Sequence, residues 1–237
     1  MLTTERPGFG ASTRLPGRGF AEHAHDVAAI LDRQGIDRVL VLGGSGGSPH
    51  VLAFCALHPD RVRAATVLVG AAPLVPDEVG SMIELNQQAY HLARAGDVSG
   101  LHALTDPIRE QLLDDPLLAF HSVMAEAPPS DQEVMSDPGW QEAFVRGMHD
   151  ALAQGTDGWI DEALALEGGE WTDFAPEDVA TSVTWYHAAG DVNCPLSAAQ
   201  RLVARLPNAR LHEWADGGHL TGYHKEGEIL DELLARG

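Results

Sequence analysis

A serine hydroxyl becomes a nucleophile at neutral pH only when a base stands beside it and a third group orients that base. This sequence spaces one candidate for each role. Ser45 sits in Gly43-Gly44-Ser45-Gly46-Gly47, after the short run Arg38-Val39-Leu40-Val41-Leu42 and before a stretch in which Val51, Leu52, Cys55 and Ala56 trace one helix face. Strand, tight turn and helix are the setting of a G-x-S-x-G nucleophile elbow, where glycines let the chain turn sharply and let backbone approach a reacting group. There the backbone N–H of Gly46, at the positive end of the following helix, is the candidate donor to an oxyanion. A Gly/Ser string between apolar runs is also an ordinary turn, and the flanking strand and helix are what favour the elbow.

The candidate acid is Asp191, which follows the strand-like segment Ser182 to Ala188, and the candidate base is His219, in Gly217-Gly218-His219-Leu220 beyond the next strand. Taken singly, Asp191 reads as a turn-forming aspartate after glycine and His219 as a solvated loop histidine. Together with Ser45 they give Ser, Asp, His in chain order, each directly after an expected strand, which is the order this kind of site uses. The remaining histidines lack metal-site spacing; His23 and His25, two apart on an expected helix, face different ways. No metal and no cofactor is expected. Gly8-Phe9-Gly10 lacks the longer glycine pattern and βαβ setting of a dinucleotide fingerprint. Cys194, three residues after Asp191, has no local histidine partner and reads as a packed thiol, like Cys55. Trp140, Phe144, Trp159 and Trp171 read first as core and second as the lining of an apolar acyl pocket.

These side chains need elements to carry them. Phe20, Ala24, Val27, Ile30 and Leu31 recur at helical spacing over Phe20 to Gln34, and Gly35 supplies a left-handed stop. Arg38 to Leu42 and Ala64 to Val69 are short apolar runs of the kind buried on both faces of a parallel sheet. Near the C-terminus the alternation repeats, with strands at Ser182 to Ala188 and Arg210 to Trp214, a helix over Leu196 to Leu206 between them, and a last helix over about Glu226 to Ala235. Between the two blocks, helical patterns are interrupted by Pro107, Pro116, Pro128-Pro129 and Pro138. The expected architecture is a single α/β domain over residues 1–237 with a helical cap inserted at about 72–180, on a mostly parallel sheet.

Composition narrows the partners. Fifteen basic against thirty-five acidic side chains give a formal charge of −20, which repels phosphate backbones and anionic headgroups, so nucleic acid and membrane are unexpected and a small-molecule substrate is expected. With 44% hydrophobic and 21% charged residues the composition is that of an ordinary globular protein. No basic-then-apolar leader opens the chain and two cysteines make no disulfide framework; cytoplasmic residence is the expectation.

In its order of motifs the chain resembles the α/β-hydrolase superfamily of serine-hydrolase type, in which a loop like D-R-P-G-x-G-x-S precedes the elbow. Here the loop is Glu5-Arg6-Pro7-Gly8-Phe9-Gly10-Ala11-Ser12, and the similarity continues through Gly43 to Gly47, His58-Pro59-Asp60-Arg61-Val62, Asp191 to Pro195, and Gly217 to Leu220. The resemblance implies Ser45 as nucleophile, Asp191 as acid, His219 as base and the Gly46 amide as oxyanion donor. It also exposes a departure. Family members carry several strands before the Arg-Pro-Gly loop, with a His-Gly segment that supplies the second oxyanion donor, and this chain starts after them, so the expected fold is N-terminally shortened. Losing one oxyanion donor in a characterised protease costs about 100- to 1,000-fold in turnover. A different natural start, completion of the sheet by a second chain, or loss of hydrolysis would each account for the departure. In the second case the open edge at Arg38 to Leu42 pairs with another copy, giving a homo-oligomer. The function expected is cleavage of a small, largely apolar ester or related acyl compound through an acyl-enzyme. The alternatives are a non-hydrolytic enzyme of the same fold, cleaving or cyclising at carbon, and a catalytically impaired binding protein.

Overall fold

A computed structural model of the chain describes residues 1–236. Helix α1 (Ala21–Gln34) turns Ala24, Ala28 and Leu31 inward and stops where Gly35 adopts a left-handed φ of 66°, as the periodicity predicts. Strand β1 (Val39–Gly44) leads through a single turn of 3-10 helix at Ser45–Gly47 into α2 (Ser48–Leu57), and β2 (Val62–Leu68) follows. After the helical segment come β3 (Val183–Ala188), α10 (Leu196–Val203), β4 (Ala209–Trp214) and α11 (Glu226–Leu234). The four strands make one sheet in the order β1-β2-β3-β4, every pairing parallel.

β3 lies between two neighbours and is buried at every residue. Its alternate side chains serve two layers, because successive residues of a strand face opposite ways. Val183 and Trp185 join α1, α2 and α10 in the main core, while Tyr186 on the other face donates its hydroxyl to Glu232 of α11. Parallel strands covered by helices on both faces explain the continuous apolar runs. β1 departs from the burial expected of its apolar run, with Leu42 42% exposed, and it is the edge strand, paired only with β2, at the open edge expected at Arg38 to Leu42. A terminal strand has one hydrogen-bonding side free, and here one flank lacks cover as well.

Seven helices separate β2 from β3: α3 (Pro76–Val79), α4 (Glu84–Ala95), α5 (Val98–Asp114), α6 (Pro116–Val123), α7 (Pro129–Met135), α8 (Pro138–Ala151) and α9 (Asp157–Glu167). The prolines that interrupt the sequence pattern mostly begin helices: Pro116, Pro129 and Pro138 each occupy a first helical position. Proline fits there because that N–H has no intrahelical partner. In two of the three an aspartate caps the turn, Asp115 accepting from the Leu118 N–H and Asp137 from the Trp140 N–H. Pro107 alone lies inside a helix, α5. Trp140 stacks on Phe144 at 4.9 Å within this segment, and Trp171 packs on Phe20 in the main core. Among the described residues no helix is long and apolar enough to cross a membrane.

Candidate active site

Ser45 stands at the junction of β1 and α2 with φ = 50°, one of two non-glycine residues at positive φ among those described. L-residues avoid this region because Cβ crowds the backbone, so a serine held there needs enforcement from its surroundings. Three contacts provide it. The Ser45 carbonyl accepts the N–H of Ala71 (3.0 Å) and that of Ser48, and the Ser48 hydroxyl donates to the Ala71 carbonyl at 2.6 Å. Ala71 closes a segment just beyond β2 that opens with Val69, the other residue at positive φ (42°), so two strained strand ends brace each other. Of the glycine string, Gly43 is the one that packing demands, since a Cβ there would meet Val51 Cγ2 at 2.6 Å, whereas one at Gly47 would meet open space.

The same contacts orient Gly46. A trans peptide points its C=O and N–H in opposite directions. With the Ser45 carbonyl held by two donors, the Gly46 N–H of that peptide is fixed facing away from them. The carbonyl of Gly46 is held in turn: Arg6 Nη1 donates to it at 3.3 Å. Arg6 belongs to a buried cluster around Glu162 of α9, whose Oε1 lies 3.3 Å from Arg6 Nη1 and 2.9 Å from His50 Nε2 and whose Oε2 accepts Arg18 Nη2 at 2.5 Å. Burial opposes ionisation of Glu162, but the His50 hydrogen bond and the Arg6 and Arg18 charges outweigh it and hold the carboxyl down at about 2.

Asp191 and His219 come from loops beyond β3 and β4, and the sheet brings them into contact. Asp191 Oδ2 and Oδ1 lie 2.9 and 3.1 Å from His219 Nδ1, and Oδ1 also accepts the N–H groups of Asn193 (2.8 Å) and Cys194 (2.9 Å). Burial works against the Asp191 charge; the adjacent imidazole, His187 and the Cys194 N–H overcome it, and its pKa lies below the ordinary value. An ionised carboxylate only accepts, so Nδ1 of His219 carries the proton and Nε2 presents its lone pair. Burial likewise opposes protonation of His219, but Asp191 and Asp131 raise its pKa. Its side chain keeps 13% of its surface exposed.

His187, which sequence spacing does not single out, supports the acid. Its Nδ1 accepts from Trp185 Nε1 (3.2 Å), which leaves the proton on Nε2 for donation to the Cys194 carbonyl (2.8 Å), and Nε2 lies 3.5 Å from Asp191 Oδ2. Two histidines therefore flank one buried carboxylate. Cys194 lies against the Ser45 hydroxyl, and burial pushes its thiol well above the ordinary range, which removes it as a nucleophile. Ser48 is excluded as well, being fully buried with its hydroxyl committed to Ala71.

The structure joins Asp191 to His219 and positions Ser45 on its turn, but no hydrogen bond joins Ser45 Oγ to His219 Nε2 among the described residues. Nucleophile and base are often loosely placed in free enzymes and tighten around substrate. Two surface depressions of about 430 and 460 Å³ are lined by other residues, the first by Leu117, Pro138 and Val145 and the second by Thr184, Arg210 and Arg236. Neither gathers groups that could activate a nucleophile, so the candidate site stays with the three loops.

Comparison with known proteins gives the same assignment of fold. The family model for the alpha/beta hydrolase fold matches residues 2–225. The chain is 28% identical over 222 residues to the putative carbamate hydrolase RutD of Caulobacter vibrioides, covering 92% of this chain and 73% of that protein. It is 26% identical over 242 residues to the pimeloyl-[acyl-carrier protein] methyl ester esterase of Aromatoleum aromaticum, covering 100% and 88%. The crystal structure of the enol-lactonase from Burkholderia xenovorans superposes with a TM-score of 0.66 at 17% identity, over 98% of this chain and 78% of that one. With the matched model spanning nearly all of its length, the chain belongs to the α/β-hydrolase-fold family.

Proposed function

We propose that the chain is a serine hydrolase that cleaves a small, largely apolar ester or related acyl compound through an acyl-enzyme. One observation carries the reading: a serine held at positive φ between a strand and a helix, on the sheet that also bears a buried Asp191–His219 pair. In the mechanism, His219 Nε2 takes the hydroxyl proton as Ser45 Oγ attacks the acyl carbon, and the Gly46 N–H stabilises the oxyanion. His219 then returns the proton to the leaving group, and water repeats the sequence in reverse. Asp191 holds the tautomer and stabilises the imidazolium. The helical segment from α3 to α9 acts as the cap that selects the substrate. That RutD is named for carbamate hydrolysis and a second relative for methyl ester hydrolysis supports acyl transfer to water as the chemistry. We place the protein in the cytoplasm, where its two unpaired, buried cysteines are chemically at home.

The test is intact-mass analysis after treatment with a fluorophosphonate, with Ser45→Ala as control. The expected result is one adduct on the wild type and none on the variant. A folded wild type that stays unmodified, or ester hydrolysis that persists in Ser45→Ala, would refute the assignment.

A further inference from the structure

A second carboxylate approaches His219 from the helical segment. Asp131 of α7 is fully buried (0% exposed), its Oδ1 accepts the backbone N–H of Leu220 at 3.0 Å, and its Oδ2 has no hydrogen-bond partner. The fit is close on the loop side: a Cβ at Gly218 would lie 2.5 Å from Asp131 Oδ2 and 2.4 Å from Pro128 Cγ, so only glycine lets this loop reach α7. Pro128 also reaches Gly190, next to Asp191. Elsewhere the helical segment touches the acid loop through Ile83, whose N–H donates to the Val192 carbonyl at 2.8 Å, and Asn86, whose amide donates to Asn193 Oδ1 at 3.2 Å. Leaving a buried carboxylate oxygen unpaired is costly, and a shape-filling apolar residue would avoid the cost. The arrangement makes sense if the charge has work to do at the neighbouring imidazole.

We propose that Asp131 is a positioning residue for His219, anchoring its loop through the Leu220 N–H and setting a second negative charge, carried by the helical segment, beside the imidazole. This rests on reading His219 as the base. The titratable groups facing His219 are Asp191 and His187 from β3 and its loop and Asp131 from α7; those facing Asp131 are His219 and Asp191. Burial and the Asp191 charge raise the Asp131 pKa against the opposing pull of the Leu220 N–H and His219, so its ionised form depends on the imidazole as the imidazole depends on it. Docking of the helical segment and readiness of the base are thereby coupled.

The experiment compares the full-length wild type with Asp131→Asn, which keeps the volume and the Oδ1 acceptor but loses the charge, and with Asp131→Ser as a smaller uncharged variant should the first not fold. The His219 ring resonance, identified by its loss in His219→Gln, is titrated by NMR. Fluorophosphonate labelling of Ser45 is followed over the same range, about pH 5 to 8, where imidazoles change charge. With the charge gone, the imidazole loses its proton at lower pH, and the acid limb of the labelling profile moves to lower pH with it. A merely structural role would lower labelling at every pH without moving that limb. A labelled wild type whose titration midpoint coincides with that of the uncharged variant overturns this proposal alone. No labelling of the wild type overturns it together with the triad reading.

Discussion

Exchanging one oxygen of Asp191 for nitrogen separates a charge from a shape. In Asp191→Asn the volume is unchanged, but every donor that the carboxylate now satisfies must share a single acceptor. If the amide oxygen stays at the Oδ1 position, it keeps the Asn193 and Cys194 N–H groups and turns its NH2 toward His219 Nδ1–H and His187 Nε2. If the amide flips, the NH2 faces the two backbone donors instead. Either way two donors oppose each other in a buried site, or His219 changes tautomer and puts its proton on Nε2, where it can no longer accept one from Ser45. The loss combines a charge-assisted hydrogen bond, about 1.5–3 kcal/mol, with an unsatisfied buried donor, about 1–3 kcal/mol. Their sum corresponds to a slowing of Ser45 phosphonylation by about 10²- to 10⁴-fold. The same exchange in the serine-protease triad costs about 10⁴-fold. The assay is the labelling rate as a function of pH, read by intact mass. In the wild type the rate rises with pH as His219 loses the proton that Asp191 helps it hold, and in the variant whatever rate remains has its acid limb at lower pH. Labelling of Asp191→Asn within about threefold of wild type across the range would refute the view that this carboxylate orients the base.

Three further outcomes follow from the packing around the site. Ser45→Gly removes the left-handed strain and raises stability by about 1 kcal/mol, with Tm up by about 2–4 °C in a thermal melt, while abolishing labelling. Gly43→Ala drives a methyl group into Val51 and lowers stability by about 1–3 kcal/mol in urea unfolding. Glu162→Gln leaves Arg18 buried without its counter-ion and costs about 3–5 kcal/mol by the same measurement. Because the Glu162 pKa is depressed in the folded state, its contribution is complete above the ordinary value of 4.5 and is lost as pH falls toward about 2; acid titration of the wild type followed by circular dichroism should show this loss, and Glu162→Gln should lack it.

Most of the elements were legible because they rest on local rules. The α1 periodicity and its Gly35 stop are observed as expected, and the expected strand at Ser182 to Ala188 begins one residue later, at Val183. For the prolines between β2 and β3, interruption and initiation look alike in sequence, and only an aspartate before Pro116 or Pro138 hints that a helix starts there. The run of Val and Leu in β1 states an affinity for a core without stating how far each of its faces is covered, so its partial exposure could not be read from it.

Among the groups of the candidate site, Ser45, Asp191 and His219 could be named from sequence because a nucleophile elbow is a matter of local chain geometry and because each candidate directly follows a strand. Asp131, His187 and the Glu162 cluster could not. Asp131 lies 89 residues from its partner Leu220, and Glu162 lies 144 from Arg18, separations at which no spacing rule operates. The sequence by itself determined the strand, turn and helix order and named Ser45, Asp191 and His219 as the candidate side chains. Only the tertiary structure decided which carboxylates meet the imidazole, that the Ser48 hydroxyl is committed to Ala71, and what anchors the His219 loop. Those outcomes depend on contacts between distant segments, fixed when the helical segment packs against the loops of the sheet.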